Sequence, residues 1–162
     1  MPAIRDLAAG DRSTVAALWR GVFDEHAERE DHAGGWLADA AALDAAILGW
    51  LGRILDGIEG FALVAEAGGG IAGFVACFER DQPWLSPARR GVIGALAVER
   101  AHRRRGLGGA LLRAAEARFV ARGIVLVEAS IAARNVAAQR FWQRAAYVDT
   151  SHTVVRQIFS RG

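Results

Sequence analysis

Residues 91–121 read GVIGALAV, then ERAHRRRGLGG, then ALLRAAEARFVA. The first eight, Gly91 to Val98, are small and apolar with β-branched members and no charge, which predicts a buried strand bounded by Arg90 and Glu99. A charged turn follows. Gly106, Leu107, Gly108 and Gly109 then open a segment in which Leu107, Ala110, Leu111, Ala114, Ala115, Phe119 and Ala121 recur at helical spacing. The unit is strand, basic glycine turn, helix.

That order has a physical use. A helix start leaves its first backbone N–H groups without partners and carries the positive end of the macrodipole, and glycines let a phosphate approach those groups closely. Arg103, Arg104 and Arg105 stand just before it, adding permanent charge and forked donors, so the turn suits a pyrophosphate better than a single carboxylate. A Walker phosphate loop would need Lys and then Ser or Thr after its last glycine, and Gly109 and Ala110 stand there instead, which disfavours nucleotide triphosphate hydrolysis. The dinucleotide fingerprint fails too, because Gly106 and Gly108 are followed by Leu111 where a third glycine belongs.

What the turn matches is Gln/Arg-x-x-Gly-x-Gly/Ala, spelled Arg103, Arg104, Arg105, Gly106, Leu107, Gly108. With the strand residues Leu96, Ala97 and Val98 before it, and Asn135, Ala138, Phe141 and Trp142 spaced N-x-x-A-x-x-F-W after it, the chain resembles the GNAT superfamily of acyl-CoA-dependent N-acetyltransferases. The close resemblance covers roughly Gly91 to Tyr147. It implies one α/β domain over residues 1–162, with a mixed central sheet of six to seven strands, a splayed central pair and about four helices. In the slot left by that pair, backbone groups of Leu96, Ala97 and Val98 are expected to hold the pantetheine arm of acetyl-CoA as if it were an added strand. The resemblance assigns the pyrophosphate to Arg103, Arg104, Arg105, Gly106, Leu107, Gly108, Gly109 and Ala110, and the far end of the arm to the Asn135 side chain. Asn135 also stands where a helix N-cap belongs.

Length and composition set bounds. At 162 residues the chain is long enough to bury a substantial core, and 52% hydrophobic against 23% charged residues is the balance of a folded protein. The start MPAIRDLAAGDR has no apolar run after a basic opening, and no segment approaches about 18 uninterrupted apolar residues, so a cytoplasmic, membrane-free protein is expected. The single cysteine, Cys77, excludes an internal disulfide and a cysteine zinc cage; inside IAGFVACF it reads as a small buried hydrophobe. His26, His32, His102 and His152 show no ligand spacing, so no metal is expected. Net charge is only +2, and all basic residues are Arg, as codon bias in a GC-rich genome would give. Without aromatic interleaving or a recognition motif, the arginine run is read as a cofactor-phosphate site and not as a nucleic-acid patch.

Elsewhere the elements follow in order. Ala3 to Leu7 is a short strand; Asp11 or Ser13 caps a helix whose apolar face is Val15, Leu18, Trp19, Val22 and Phe23. Its other side and end carry Asp24, Glu25, Glu28, Glu30 and Asp31, either a solvated helix end or an electrostatic funnel for a cationic amine. Asp31 to Asp39 reads as a loop, and Leu43, Ile47, Trp50, Leu51, Ile54, Leu55 and Ile58 as one helical stripe. Trp19, Trp36 and Trp50 read as core or groove wall. Phe61–Ala67 and Ile71–Glu79 flank three glycines as a hairpin, Asp81 to Arg90 is a loop, and Gly123 ends the central helix before a strand at Ile124–Ser130. A short helix over Asn135–Arg144 and a last strand or hairpin over Tyr147–Phe159 close the chain.

The chemistry implied by the resemblance is direct attack of a neutral amine on the acyl thioester. Amines are mostly protonated at pH 7, so a base or water chain must take a proton, and an acid can return one to the thiolate. The family position seven after the asparagine, often the Tyr taken as that acid, is Trp142 here, whose indole N–H cannot serve; Tyr147 falls where a core Phe is usual, with Ala146 in place of Gly. The candidate bases are Glu128, on the strand after the central helix, and Glu79, at the end of the hairpin's second strand. The leading expectation is an acetyl-CoA-dependent N-acetyltransferase acting on a primary amine of a small molecule or protein. The alternative is a non-catalytic acyl-CoA-binding sensor or accessory domain. Trp84 and exposed edge strands make a homodimer plausible.

Overall fold

The computed structural model describes residues 2–28 and 38–154. They form β1 (Ala3–Asp6), α1 (Arg12–Glu28), α2 (Ala40–Leu55), β2 (Phe61–Ala67), β3 (Gly70–Asp81), β4 (Arg89–Val98), α3 (Leu107–Ala121), β5 (Val127–Ala129) and α4 (Val136–Arg144), with 3-10 turns at Ala9–Asp11 and Arg100–His102. The strands lie side by side in sequence order, antiparallel from β1 to β4, with β5 parallel to β4.

The alternation of β2 divides the interior. Phe61, Leu63 and Ala65 face a core built with Leu107, Leu111, Leu112, Ala115 and Phe119 of α3 and Trp142 of α4. Ala62 and Val64 face the opposite layer, where Val15 and Trp19 of α1 meet Ile47, Leu51 and Ile54 of α2. The stripes read from sequence are thus the buried faces, except that Ile58 lies past the end of α2 and is exposed. Gly52 gives Arg12 room to cross between the helices: the guanidinium is 3.2 Å from where a Cβ would stand, and it donates to the Leu48 carbonyl at 2.7 Å.

The strand count corrects the expectation of six to seven: among the described residues the sheet has five strands. Tyr147 to Val154, read as the start of a last strand, is irregular, and Val148 and Val154 are exposed, so no alternating face is buried there. The rest of that stretch, with Ile158 and Phe159, lies outside the described residues, as do residues 29–37 with Trp36. The strand expected over Ile124–Ser130 shortens to Val127–Ala129. Gly123, at φ 75°, closes α3, and the Ile124 N–H still donates to the Phe119 carbonyl, so Ile124 belongs to the helix cap and not to the strand.

β4 carries the feature that makes the site. Its register against β3 shifts between the pairs Ala76–Ala95 and Cys77–Ile93, leaving Gly94 as the extra residue of a bulge. Pairing with β5 is confined to Gly91–Val127, Val92–Glu128 and Ile93–Ala129. From Gly94 onward, β4 has no strand on that edge among the described residues, which is the splay the sequence led us to expect.

Candidate functional site

The free edge of β4 is oriented by its ladder. Glu99 donates to the Ala72 carbonyl and Ala97 is paired with Phe74, so the backbone groups of Ala97 and Glu99 turn towards β3. Antiparallel alternation then turns those of Leu96 and Val98 outward into the gap. Of the three residues predicted to pair with an extended arm, Leu96 and Val98 present backbone to the gap. Ala97 presents none and is buried on the α1 side.

A cleft of about 470 Å³ continues from this edge, lined by Leu96, Val98, His102, Arg103, Arg104, Gly106, Leu107, Gly108, Gly109, Phe141 and Arg144. The turn that forms it needs left-handed backbone twice, at Arg104 (φ 64°) and at the N-cap Gly106 (φ 81°). Gly106 thereby aims the first N–H groups of α3 at the cleft, and the first intrahelical bond comes only with Ala110 donating to the Gly106 carbonyl. Gly108 lies against the Phe141 ring and Leu96, which a Cβ there would touch at 3.4 Å and 3.6 Å, ordinary contact distances. Arg105 and Ala110 do not line the cleft. His102, Phe141 and Arg144 do, and the sequence reading did not place them there. Phe141 and Arg144 stand three apart on α4, so helical spacing could have paired them.

Arg103 is turned away from the turn it opens. Its Nε donates to the Val98 carbonyl at 2.8 Å and its Nη2 to Glu25 Oε1 at 2.6 Å, joining the end of β4 to α1. A second cleft of about 310 Å³ lies on that side, between Ala17, Leu18, Gly21, Val22 and Glu25 of α1 and Ala97 to Arg100, and it shares Val98 and Arg103 with the first. Burial alone would raise the Glu25 carboxyl, but hydrogen bonds from Arg103 and Arg100 outweigh it and hold the group below its ordinary range. The acidic end of α1 is accordingly ion-paired where it is described: Glu25 and Glu28 with Arg100, Glu25 with Arg103, Asp24 with Arg20. Glu30 and Asp31 lie outside the described residues.

Asn135 is the N-cap of α4, its Oδ1 accepting from the Ala138 N–H at 3.1 Å. Trp142 is buried, and its ring packs at 4.7 Å on Tyr147. Tyr147, the only tyrosine of the sequence, donates its hydroxyl to Glu116 of α3 at 3.1 Å; burial first, then the Glu116 charge, push the phenol well above its ordinary range. No phenol therefore faces the gap among the described residues.

The two candidate bases lie on opposite faces of the sheet, and neither lines either of these two clefts. Glu79 pairs in register with Gly91 and sits on the α3 side, where it accepts from Arg89 Nε at 2.8 Å and Arg122 Nη1 at 3.2 Å. Burial works to raise its carboxyl, and the two arginines more than reverse this. Glu128 pairs with Val92, close to the point where the strands part. It faces the α2 side, accepting from Arg80 at 2.8 Å, with Arg90 at 3.7 Å; Arg80 in turn lies over Phe78, which contacts Trp50 of α2. Among the described residues, no group of three or more His, Cys, Asp or Glu could hold a metal ion, and no helix is long and apolar enough to cross a membrane.

A family model described as the Acetyltransferase (GNAT) family matches residues 12–147. No curated protein matches the chain. Among solved structures, a GCN5-related N-acetyltransferase from Ralstonia eutropha JMP134 is similar at 25% identity and TM-score 0.76, covering 97% of this chain and 99% of that one. A predicted acetyltransferase from Clostridium acetobutylicum, solved with acetyl-CoA, is similar at 16% identity and TM-score 0.76, with 97% and 96% covered. An aminoglycoside N-acetyltransferase solved with CoA has 16% identity and TM-score 0.76, with 98% and 95% covered. At such identities the last two show the fold alone.

Proposed function

The chain belongs to the GNAT family of acetyltransferases, and from that premise we propose that it transfers an acetyl group from acetyl-CoA to a primary amine. The observation that carries the reading is the convergence, in one cleft, of an unpaired strand edge, a glycine turn at a helix start, and the lining residues Arg104 and Arg144. Outward backbone at Leu96 and Val98 suits the amides of a pantetheine arm. The N–H groups of Leu107, Gly108 and Gly109, with the two arginines, suit a pyrophosphate. Arg105 adds positive charge beside them, and the Asn135 side-chain amide, its oxygen already committed to the helix cap, offers its N–H groups to the arm.

When bound, acetyl-CoA would supply an acyl thioester open to direct attack by a neutral amine. The base we assign is Glu128, whose strand position flanks the end of the gap. Glu79 is the weaker candidate, because two arginines hold it below its ordinary range and it lies on the face away from α2. With Tyr147 committed to Glu116, the thiolate leaves without a tyrosine acid. That same observation favours the second reading, a domain that binds acyl-CoA without turnover. The acceptor amine, a homodimer through the exposed Trp84 and a cytoplasmic location belong to the proposal and not to the family assignment.

Thermal unfolding with acetyl-CoA, against ATP and NADH at equal concentration, tests the donor site. A specific ligand at about a hundredfold over its Kd adds roughly 2.7 kcal/mol, a shift of several degrees for a chain of this size. No shift, or an equal one with all three, refutes the reading. Thiol release across a panel of amines then separates the transferase from the binding domain, and Glu128→Gln should lower that release across pH 6 to 9.

A further inference from the structure

We infer that Arg103 and Glu25 form a strap that sets the end of the β4 edge for the pantetheine arm, so that Arg103 is a positioning residue acting through Val98 and not a phosphate ligand. The inference rests on the acetyl-CoA reading above and refines it at one residue. A single guanidinium reaches two elements, with Nε on the Val98 carbonyl at 2.8 Å and Nη2 on Glu25 of α1 at 2.6 Å. Val98 is the last residue of β4, and its carbonyl is one of the few backbone acceptors that point into the gap. With Arg103 bound there, the arm can pair with Leu96 and with the Val98 N–H but no further. The guanidinium is a stop that fixes where the added strand begins.

Charge supports the same assignment. Glu25, only 21% exposed, neutralises the Arg103 guanidinium at contact distance, so this arginine offers a phosphate little net attraction. Arg104 and Arg144 line the same cleft and are left to carry that role. The strap also forms part of the wall shared by the two clefts, which meet at Val98 and Arg103. Only a planar fork with two separated donors spans carbonyl and carboxylate at once, so lysine is not equivalent here.

The test compares acetyl-CoA with S-acetylpantetheine, which has the arm and no phosphate. Affinities are measured by calorimetry, the second compound by displacement of the first, for the wild type and for Arg103→Ala, Arg103→Lys, Glu25→Gln and Arg104→Ala. Arg103→Ala should weaken both ligands by the same factor, roughly tenfold, as expected when one charge-assisted bond organising a binding edge is lost. Arg103→Lys should not restore them, Glu25→Gln should weaken both in the same direction, and Arg104→Ala should weaken acetyl-CoA alone. If Arg103→Ala weakens only acetyl-CoA, Arg103 is a phosphate ligand and the inference is overturned; if it weakens neither, the strap has no role in binding. Wild-type protein that binds neither compound refutes the donor reading itself, a different outcome. Unfolding of each free variant, expected to match the wild type within about 1 kcal/mol, separates a local effect from loss of fold.

Discussion

Replacing Gly91 by alanine tests the packing that joins β4 to α3. Gly91 is buried, and its φ lies outside the left-handed region, so alanine meets no backbone strain there. The obstacle is the Phe119 ring, three of whose carbons would lie 2.8 to 2.9 Å from the new Cβ. The ring has no retreat: Phe119 is fully buried and packs edge-on against Phe61 at 5.1 Å, with Arg118 and Arg122 over Phe61 at 5.2 and 4.9 Å. Overpacking of one methyl costs about 1–3 kcal/mol, and the entropy alanine removes from the unfolded chain returns about 0.4–1. We expect a net loss of roughly 1–2 kcal/mol by urea unfolding, or a fall in Tm of about 2–8 °C. Two controls sharpen it. Gly10→Ala, where nothing lies within 4 Å, should stay within about 0.5 kcal/mol of wild type. Adding Phe119→Leu to Gly91→Ala should cost less than Phe119→Leu alone. A Gly91→Ala protein as stable as the wild type, with no coupling to Phe119, would refute the packing argument.

Three more expectations follow from described contacts. Ala146 holds φ 64°, a left-handed conformation that costs an L-residue about 1–2 kcal/mol, so Ala146→Gly should raise stability by up to about 1 kcal/mol once glycine's extra unfolded freedom is subtracted, read by urea midpoint. Asp11 and Asp6 are held below their ordinary range, first by hydrogen bonds from Arg5 and Arg118 respectively, and Glu79 by Arg89 and Arg122 against its burial. Their folded pKa values lie below the unfolded ones, so this stability is complete above roughly pH 5 and falls as pH drops through about 4 and below; Asp11→Asn should flatten that decline in acid unfolding curves. Burial pushes the Cys77 thiol up to about 12, so a thiol reagent at pH 8 should label it only at the rate of unfolding, and rapid labelling of native protein would contradict its placement.

What was legible in the sequence was what is local. The strand from Gly91, the glycine turn and the helix to Ala121 follow from runs and spacings within a few residues, as do the β2–β3 hairpin and the N-cap role open to Asn135. The glycine turn lines a cleft, and it was legible because a helix start presents its N–H groups whatever surrounds it. Long-range partners were not legible. Arg103 stands in an arginine run that reads as a phosphate site, yet its guanidinium is taken by Glu25, 78 positions away. Glu79, two positions from the end of β3, and Glu128, in the middle of the three-residue β5, both follow apolar runs. Only the register places one beneath α3 with Arg89 and Arg122 and the other towards α2 with Arg80. The short β5 was overextended because Val125 and Leu126 have strand propensity, while the Gly123 cap ties Ile124 to α3.

The bulge at Gly94 changes which side of the sheet each half of β4 serves. Ile93 belongs to the core under α3; in an unbroken strand Ala95 and Ala97 would join it, yet both face α1 and α2, and Leu96 and Val98 take the α3 side. One uncounted residue therefore acts as a parity switch. Drawing Gly94 into regular pairing, with the bulge straightened and the residue kept, would send Leu96 and Val98 to the helix-pair side and turn their outward backbone into the ladder with β3, exposing that of Ala95 and Ala97 instead. The edge would survive as a surface, but it would be offset by one position from a helix start that cannot move with it. Strand edge and glycine turn share a single phase, and Gly94 sets it.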